Sequence, residues 1–99
     1  MKNVKTVLAN LPSIENLQSP NGNDVPNQFR IIFKDGVLFQ SYTTIIVFKT
    51  NKGQIFLDSE KWNYSNTTSK YRNMFLGETS KEIQAKIESG VYILTNLNN

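Results

Sequence analysis

Residues 61–77, KWNYSNTTSKYRNMFLG, hold the side chains of this chain best suited to chemistry. Trp62, Tyr64, Tyr71 and Phe75 offer aromatic faces, and Lys61, Lys70 and Arg72 offer cations. Rings interleaved with cations suit a single-stranded nucleic acid. Bases stack on the rings at about 1–3 kcal/mol each, while Lys and Arg track the phosphates. Trp62, Tyr64, Lys61, Lys70 and Arg72 supply both ingredients in one short run. The same stretch also reads as a structural corner. Tyr71, Met74 and Phe75 recur at the spacing of a core-facing helical stripe, and the neighbouring hydroxyls suit a helix cap. The expectation is a strand-to-helix corner with mostly buried aromatics, leaving Lys61, Lys70 and Arg72 outside.

Catalytic readings are weaker. Asp58 and Glu60 stand at i and i+2, so in a strand both carboxylates share a face and can hold Mg²⁺ beside a substrate phosphate. They lack a third ligand and a glycine-rich phosphate loop, and solvated charges at a strand exit account for them. Lys70 with Ser65, Ser69 and Tyr64 resembles the parts of a Ser–Lys dyad, but nothing nearby in the sequence would bury the lysine and lower its pKa. The chain has no histidine and no cysteine. That removes imidazole proton shuttles, thiolate nucleophiles, disulfides and most transition-metal sites. The reading is therefore of a non-enzyme without cofactor or metal.

Ninety-nine residues with 38% hydrophobic content suffice for one domain around one core. A net charge of +3 is a mild bias toward anionic partners. The N-terminal MKNVKTVLANLPS lacks a continuous apolar run of signal-peptide length, and no window has the composition of a membrane span. A soluble protein of a bacterial cytoplasm, with no membrane partner, is expected. Heavy use of Asn, Lys and Ile suggests AT-rich coding, as in a low-GC bacterium or its phage.

These side chains must be positioned by ordered elements. Val4, Val7, Leu8 and Leu11 have helical spacing that Pro12 terminates. QSPNGNDVPNQ then has the composition of a loop, so residues 1–27 read as a short helix and a flexible arm preceding a domain over 28–99. From Gln28, Phe29, Ile31 and Phe33 alternate to one side. Asp35-Gly36 reads as a type I′ hairpin turn, TTIIVFKT as a central strand, and NKG as the next turn. This gives a four-stranded antiparallel meander. A helix capped by Thr67 or Thr68 follows, with Gly77 as its left-handed stop. Thr79 and Glu82 form a capping box for a second helix with Ile83 and Ile87 buried. VYILTNL is a final strand. The fold class expected is α+β, with helices on one face of the sheet.

The residues Gln40-Ser41-Tyr42, the run Trp62 to Gly77 and the late Ile87 to Tyr92 resemble a family of small phage and mobile-element proteins. Its pattern is QSY, then W-[DN]-Y-S-x-T-T-x-K-Y-R-x-x-F-L-G, then I-x-S-G-x-Y. The resemblance covers about residues 36–97, omits the arm, implies a phage-related origin and carries no assigned chemistry. A small phage protein without catalytic residues commonly works by binding. The expected partner is a host or phage protein, for instance a host defence factor that the chain inhibits. A nucleic-acid-binding accessory protein is the alternative, and an oligomer stays open. Tyr42 and Trp62 are candidate aromatic anchors for a protein partner, beside Lys61, Tyr64, Lys70 and Arg72. The order follows from charge: phosphate binding needs many cations, and the 61–72 corner is the only dense positive patch.

Overall fold

The computed structural model describes residues 4–99; residues 1–3 and the side chains of Thr6 and Val7 lie outside the description. Helix α1 (Val4–Ala9) forms where the spacing predicts and stops before Pro12, but Leu8 and Leu11 stay exposed. The following segment is no linker. It forms strand β1 (Ser13–Gln18) and the start of β2 (Asp24–Phe33), paired antiparallel. The Pro, Asn and Gly residues of 19–23 build one tight turn, in which Ser19 N–H donates to the Asn23 carbonyl and Gly22 N–H to the Ser19 carbonyl. Buried Leu17 and Val25 anchor this hairpin, and Asn16 Nδ2 donates to the Val25 carbonyl at 2.8 Å. Limited proteolysis is therefore expected to trim α1 and stop before Ser13. A stable fragment beginning near Gln28 would show that β1 is not held.

The sheet continues through β3 (Gly36–Ser41), β4 (Thr44–Thr50) and β5 (Ile55–Asp58). After the helices, the expected C-terminal strand β6 (Tyr92–Thr95) adds parallel to β5, and with β1 added to the four-stranded meander the sheet has six strands in chain order. The β2–β3 turn sits one residue earlier than Asp35-Gly36 suggests, because Phe33 pairs with Gly36 and leaves Lys34 and Asp35 at the tip. Gly36 meets a different demand: a Cβ there would run into the Lys49 carbonyl oxygen of the neighbouring strand. A register shift after Phe39 turns both Ile46 and Val47 inward.

Helix α2 (Asn66–Leu76) is capped by Ser65, whose Oγ accepts from Thr68 N–H at 3.1 Å. The cap lies earlier than Thr67 or Thr68 because Thr68 is needed inside, where its hydroxyl meets that of Ser41 at 3.4 Å. Gly77 takes the left-handed stop at φ 69°. Helix α3 (Ser80–Glu88) has the expected reciprocal capping box of Thr79 and Glu82. Both helices lie on the face that carries Phe39, Val47, Leu57 and Tyr92. Phe75 stacks on Phe39 at 5.7 Å, and Ile83 is fully buried with them. Burying each of these large side chains contributes about 1.5–3 kcal/mol, which holds the helices down.

Candidate binding surface at one end of the sheet

The antiparallel order brings the β3–β4 turn, the end of β5, the 59–65 loop and the start of α2 to one end of the molecule. Because β6 runs parallel to β5, the C-terminal residues arrive there as well. Asp58 organises this end. It is buried, and its carboxylate accepts from the backbone N–H groups of Lys61 (2.8 Å), Glu60 (3.3 Å) and Leu97 (2.9 Å). Burial alone would raise its pKa, but the hydrogen bonds from Leu97, Lys61, Asn98 and Glu60 outweigh it and hold the carboxyl below its ordinary value. The Asp58–Glu60 pair thus divides: Asp58 turns inward to fasten the loop and the C-terminal tail, while Glu60 is exposed.

Arg72 is not an exposed cation. It is fully buried, because α2 turns Thr68, Arg72 and Leu76 toward the body together with Tyr71 and Phe75. Its Nη1 donates to the Trp62 carbonyl (2.6 Å) and Asn63 Oδ1 (3.2 Å). Nε and Nη2 donate to Asn73 Oδ1, and Nη2 also to Ser80 Oγ (3.0 Å). The guanidinium lies 5.1 Å from the centre of the Trp62 ring. Among the described residues no carboxylate pairs with it; dipoles and the ring stabilise the charge instead. Burial lowers its pKa, and an arginine stays charged all the same. Trp62 is consequently half-buried between this guanidinium and the core. Asn63, Asn73 and Ser80, which complete the network, gave no signal in the sequence beyond being short polar residues near a helix.

The other candidates remain at the surface. Lys61 and Lys70 are exposed, their ammonium groups over the rings of Tyr64 (5.1 Å) and Tyr71 (5.3 Å). Tyr64 is 47% exposed and Tyr42 55%. The parts of the Ser–Lys dyad are occupied elsewhere: Ser65 caps α2, and Ser69 Oγ donates to Asn63 Oδ1 at 3.0 Å. Tyr42 has the less expected geometry. Its φ is +55°, a left-handed backbone that an aromatic residue seldom adopts. Tyr42 N–H donates to the Asn27 carbonyl (2.6 Å), and its own carbonyl accepts from Gln40 Nε2 (2.7 Å). Asn27, itself at φ 65°, presents that carbonyl from β2. These bonds lock the turn with the ring outward. Lys61 shares a shallow polar hollow with Thr43, Thr44, Asp58 and Asn98, so the Tyr42 turn and the Lys61 loop form one surface.

A broader groove lies between the β1–β2 hairpin and α2, lined by Leu17, Arg30, Met74 and Phe75. Its ion pair, Arg30–Glu15 at 3.0 Å, is about half exposed to solvent.

The fold is α+β: a six-stranded sheet whose first five strands are antiparallel, with two helices on one face. The chain belongs to a family of unknown function (DUF8033), whose model matches residues 4–90. The match takes in α1 and β1, so the N-terminal hairpin belongs to the family's unit. No curated protein and no solved structure matches the chain.

Proposed function

We propose that this is a small phage-related protein that acts by non-catalytic binding, and that its partner is a host or phage protein, in its finer form a host defence factor that it inhibits. The phage origin rests on the resemblance of the Trp62 to Gly77 run. The binding surface is the end of the sheet, with Tyr42 as anchor, Lys61 beside its turn, and Tyr64 and Lys70 as further candidates on the 59–65 loop and α2. One observation carries the reading: Tyr42 keeps a left-handed backbone with its ring exposed, although glycine would fit that turn without strain. An exposed tyrosine is the kind of rigid amphipathic side chain that anchors protein interfaces. Burial of Arg72 supports a protein over a nucleic acid, because it removes one of three cations from the corner. Lys61 and Lys70 alone would give a salt slope of only about 1.8, too shallow for a dedicated phosphate binder.

Tyr42→Gly separates stability from function. The substitution relieves the left-handed strain and adds chain entropy to the unfolded state, so its unfolding free energy should stay within about 1 kcal/mol of wild type. Partner binding should fall by about 2 kcal/mol or more, as for a truncated anchor. Thermal unfolding and partner capture, run side by side, check both halves. Retained binding by a folded Tyr42→Gly variant would sink the assignment. Tight oligonucleotide binding at physiological salt, lost in a Lys61→Glu, Lys70→Glu double variant, would favour the nucleic-acid reading.

A further inference from the structure

Cross-strand partners share a face of the sheet, and the registers define one continuous row. Ile14 pairs with Ile31, Ile31 with Leu38, Leu38 with Phe48, Phe48 with Phe56, and Phe56 with Ile93. Six apolar side chains thus run edge to edge across all six strands, on the face opposite the helices. None of the six is buried. Phe29 and Phe33 flank the row on β2, half-buried only by their neighbours. Phe33 stacks on Phe48 at 5.8 Å across the side-chain-free Gly36, and Phe48 on Phe56 at 6.1 Å. The rings are therefore already ordered. The paired registers put no lysine, arginine or glutamate on this face: Glu15, Arg30 and Lys49 all belong to the helix side. Asp58, at its end, is buried beneath loop amides.

We infer that this face packs against the same face of a second copy, sheet on sheet, as a two-fold dimer. The site is separate from the sheet-end surface. Size is the first argument. Strands about 4.8 Å apart and same-face residues about 6.8 Å apart give the eight apolar positions about 260 Å², within a face of about 500 Å² on each copy. A pair meeting over the whole face would hide about 1,000 Å², the lower limit for a specific interface. Charge is the second argument. The chain carries +3, yet two copies can meet here without burying a lysine or arginine, whereas nucleic acid would find no cation on the face. Shape is the third. The natural cover for a twisted sheet is another of equal twist, about 10 Å away and rotated by about 30°.

Sedimentation analysis of the full chain over about a hundredfold dilution range tests the inference. A species of twice the 11.3 kDa chain mass is expected, dissociating on dilution. Phe48→Lys should weaken the dimer by about 30-fold or more, because it removes a central aromatic anchor and opposes two charges across the axis. Ile31→Lys, on another strand, should do the same if Phe48→Lys proves to be unfolded by circular dichroism. Lys81→Glu, on the exposed side of α3, should leave the dimer unchanged. A wild-type chain that is monomeric at every concentration overturns the inference, as does a dimer that survives both lysine variants. A monomer that floats with neutral phosphatidylcholine vesicles would assign the face to lipid instead.

Discussion

Arg72→Ala should cost about 3–4 kcal/mol of stability, the largest effect of any single polar substitution in this protein. The change removes a fully buried cation together with its bonds to Trp62, Asn63, Asn73 and Ser80. It leaves the Trp62 carbonyl and the two asparagine side chains short of donors, and a hydrogen bond to a charged group is worth about 1.5–3 kcal/mol. At about 4–8 °C per kcal/mol for a domain of this size, the midpoint should fall by at least about 12 °C. Arg72→Lys should rescue little. A single ammonium cannot span Trp62 on one side and Asn73 and Ser80 on the other, nor lie flat on the indole. Calorimetry of the two variants checks this; an Arg72→Lys protein as stable as wild type would mean that the network needs only a charge. Trp62 fluorescence should change in both, since the guanidinium lies over its ring.

The second large effect belongs to Asp58. Asp58→Ala leaves the amides of Lys61, Glu60 and Leu97 without their acceptor, for a loss of about 2–3 kcal/mol. The wild-type protein should show the same contact through pH. The folded state holds this carboxyl below its ordinary value of 3.8. Its stabilisation is therefore fully present above that pH and is lost as pH falls through the folded value. Urea midpoints measured from neutral pH down to pH 3 should decline more for wild type than for Asp58→Asn, which has no charge to lose. Parallel curves for the two proteins would remove Asp58 from its place at the loop and tail.

Much of this architecture was legible because local signals agreed. Phe29, Ile31 and Phe33 alternate, TTIIVFKT is β-branched, Gly77 stands at a helix stop, and Thr79 with Glu82 marks a helix start. Strand β1 was hidden for a compositional reason: SPNGN suits a tight hairpin and a loose linker equally, and only the burial of Leu17 and Val25 distinguishes them. Arg72 misled for a different reason. Its helical phase, four residues after Thr68 and one after Tyr71, points inward, but a charged residue there reads as solvated unless its partners are known. Those partners are local, the Trp62–Asn63 loop, Asn73 on the same helix and Ser80 at the start of α3, but only the folding of that loop and of α3 around α2 brings them to the guanidinium. Tyr42 was visible as an aromatic near a strand end, while its left-handed backbone depends on the Asn27 carbonyl across the sheet. Phe29, Ile31 and Phe33 visibly shared a side. Which side the helices would cover depends on packing across the whole sheet, so the open face could not be read from the strands alone.

The two proposals assign the sheet end to partner contact and the open face to self-association. The central claim is the first, that the Tyr42 end grips a protein. Its most direct measurement is capture from a nuclease-treated lysate of the bacterial host, with wild type and the folded Tyr42→Gly variant as parallel baits. The account predicts a discrete host protein retained by wild type after nuclease treatment and absent from the Tyr42→Gly bait. A partner that disappears on nuclease treatment, or one held equally by both baits, would contradict it.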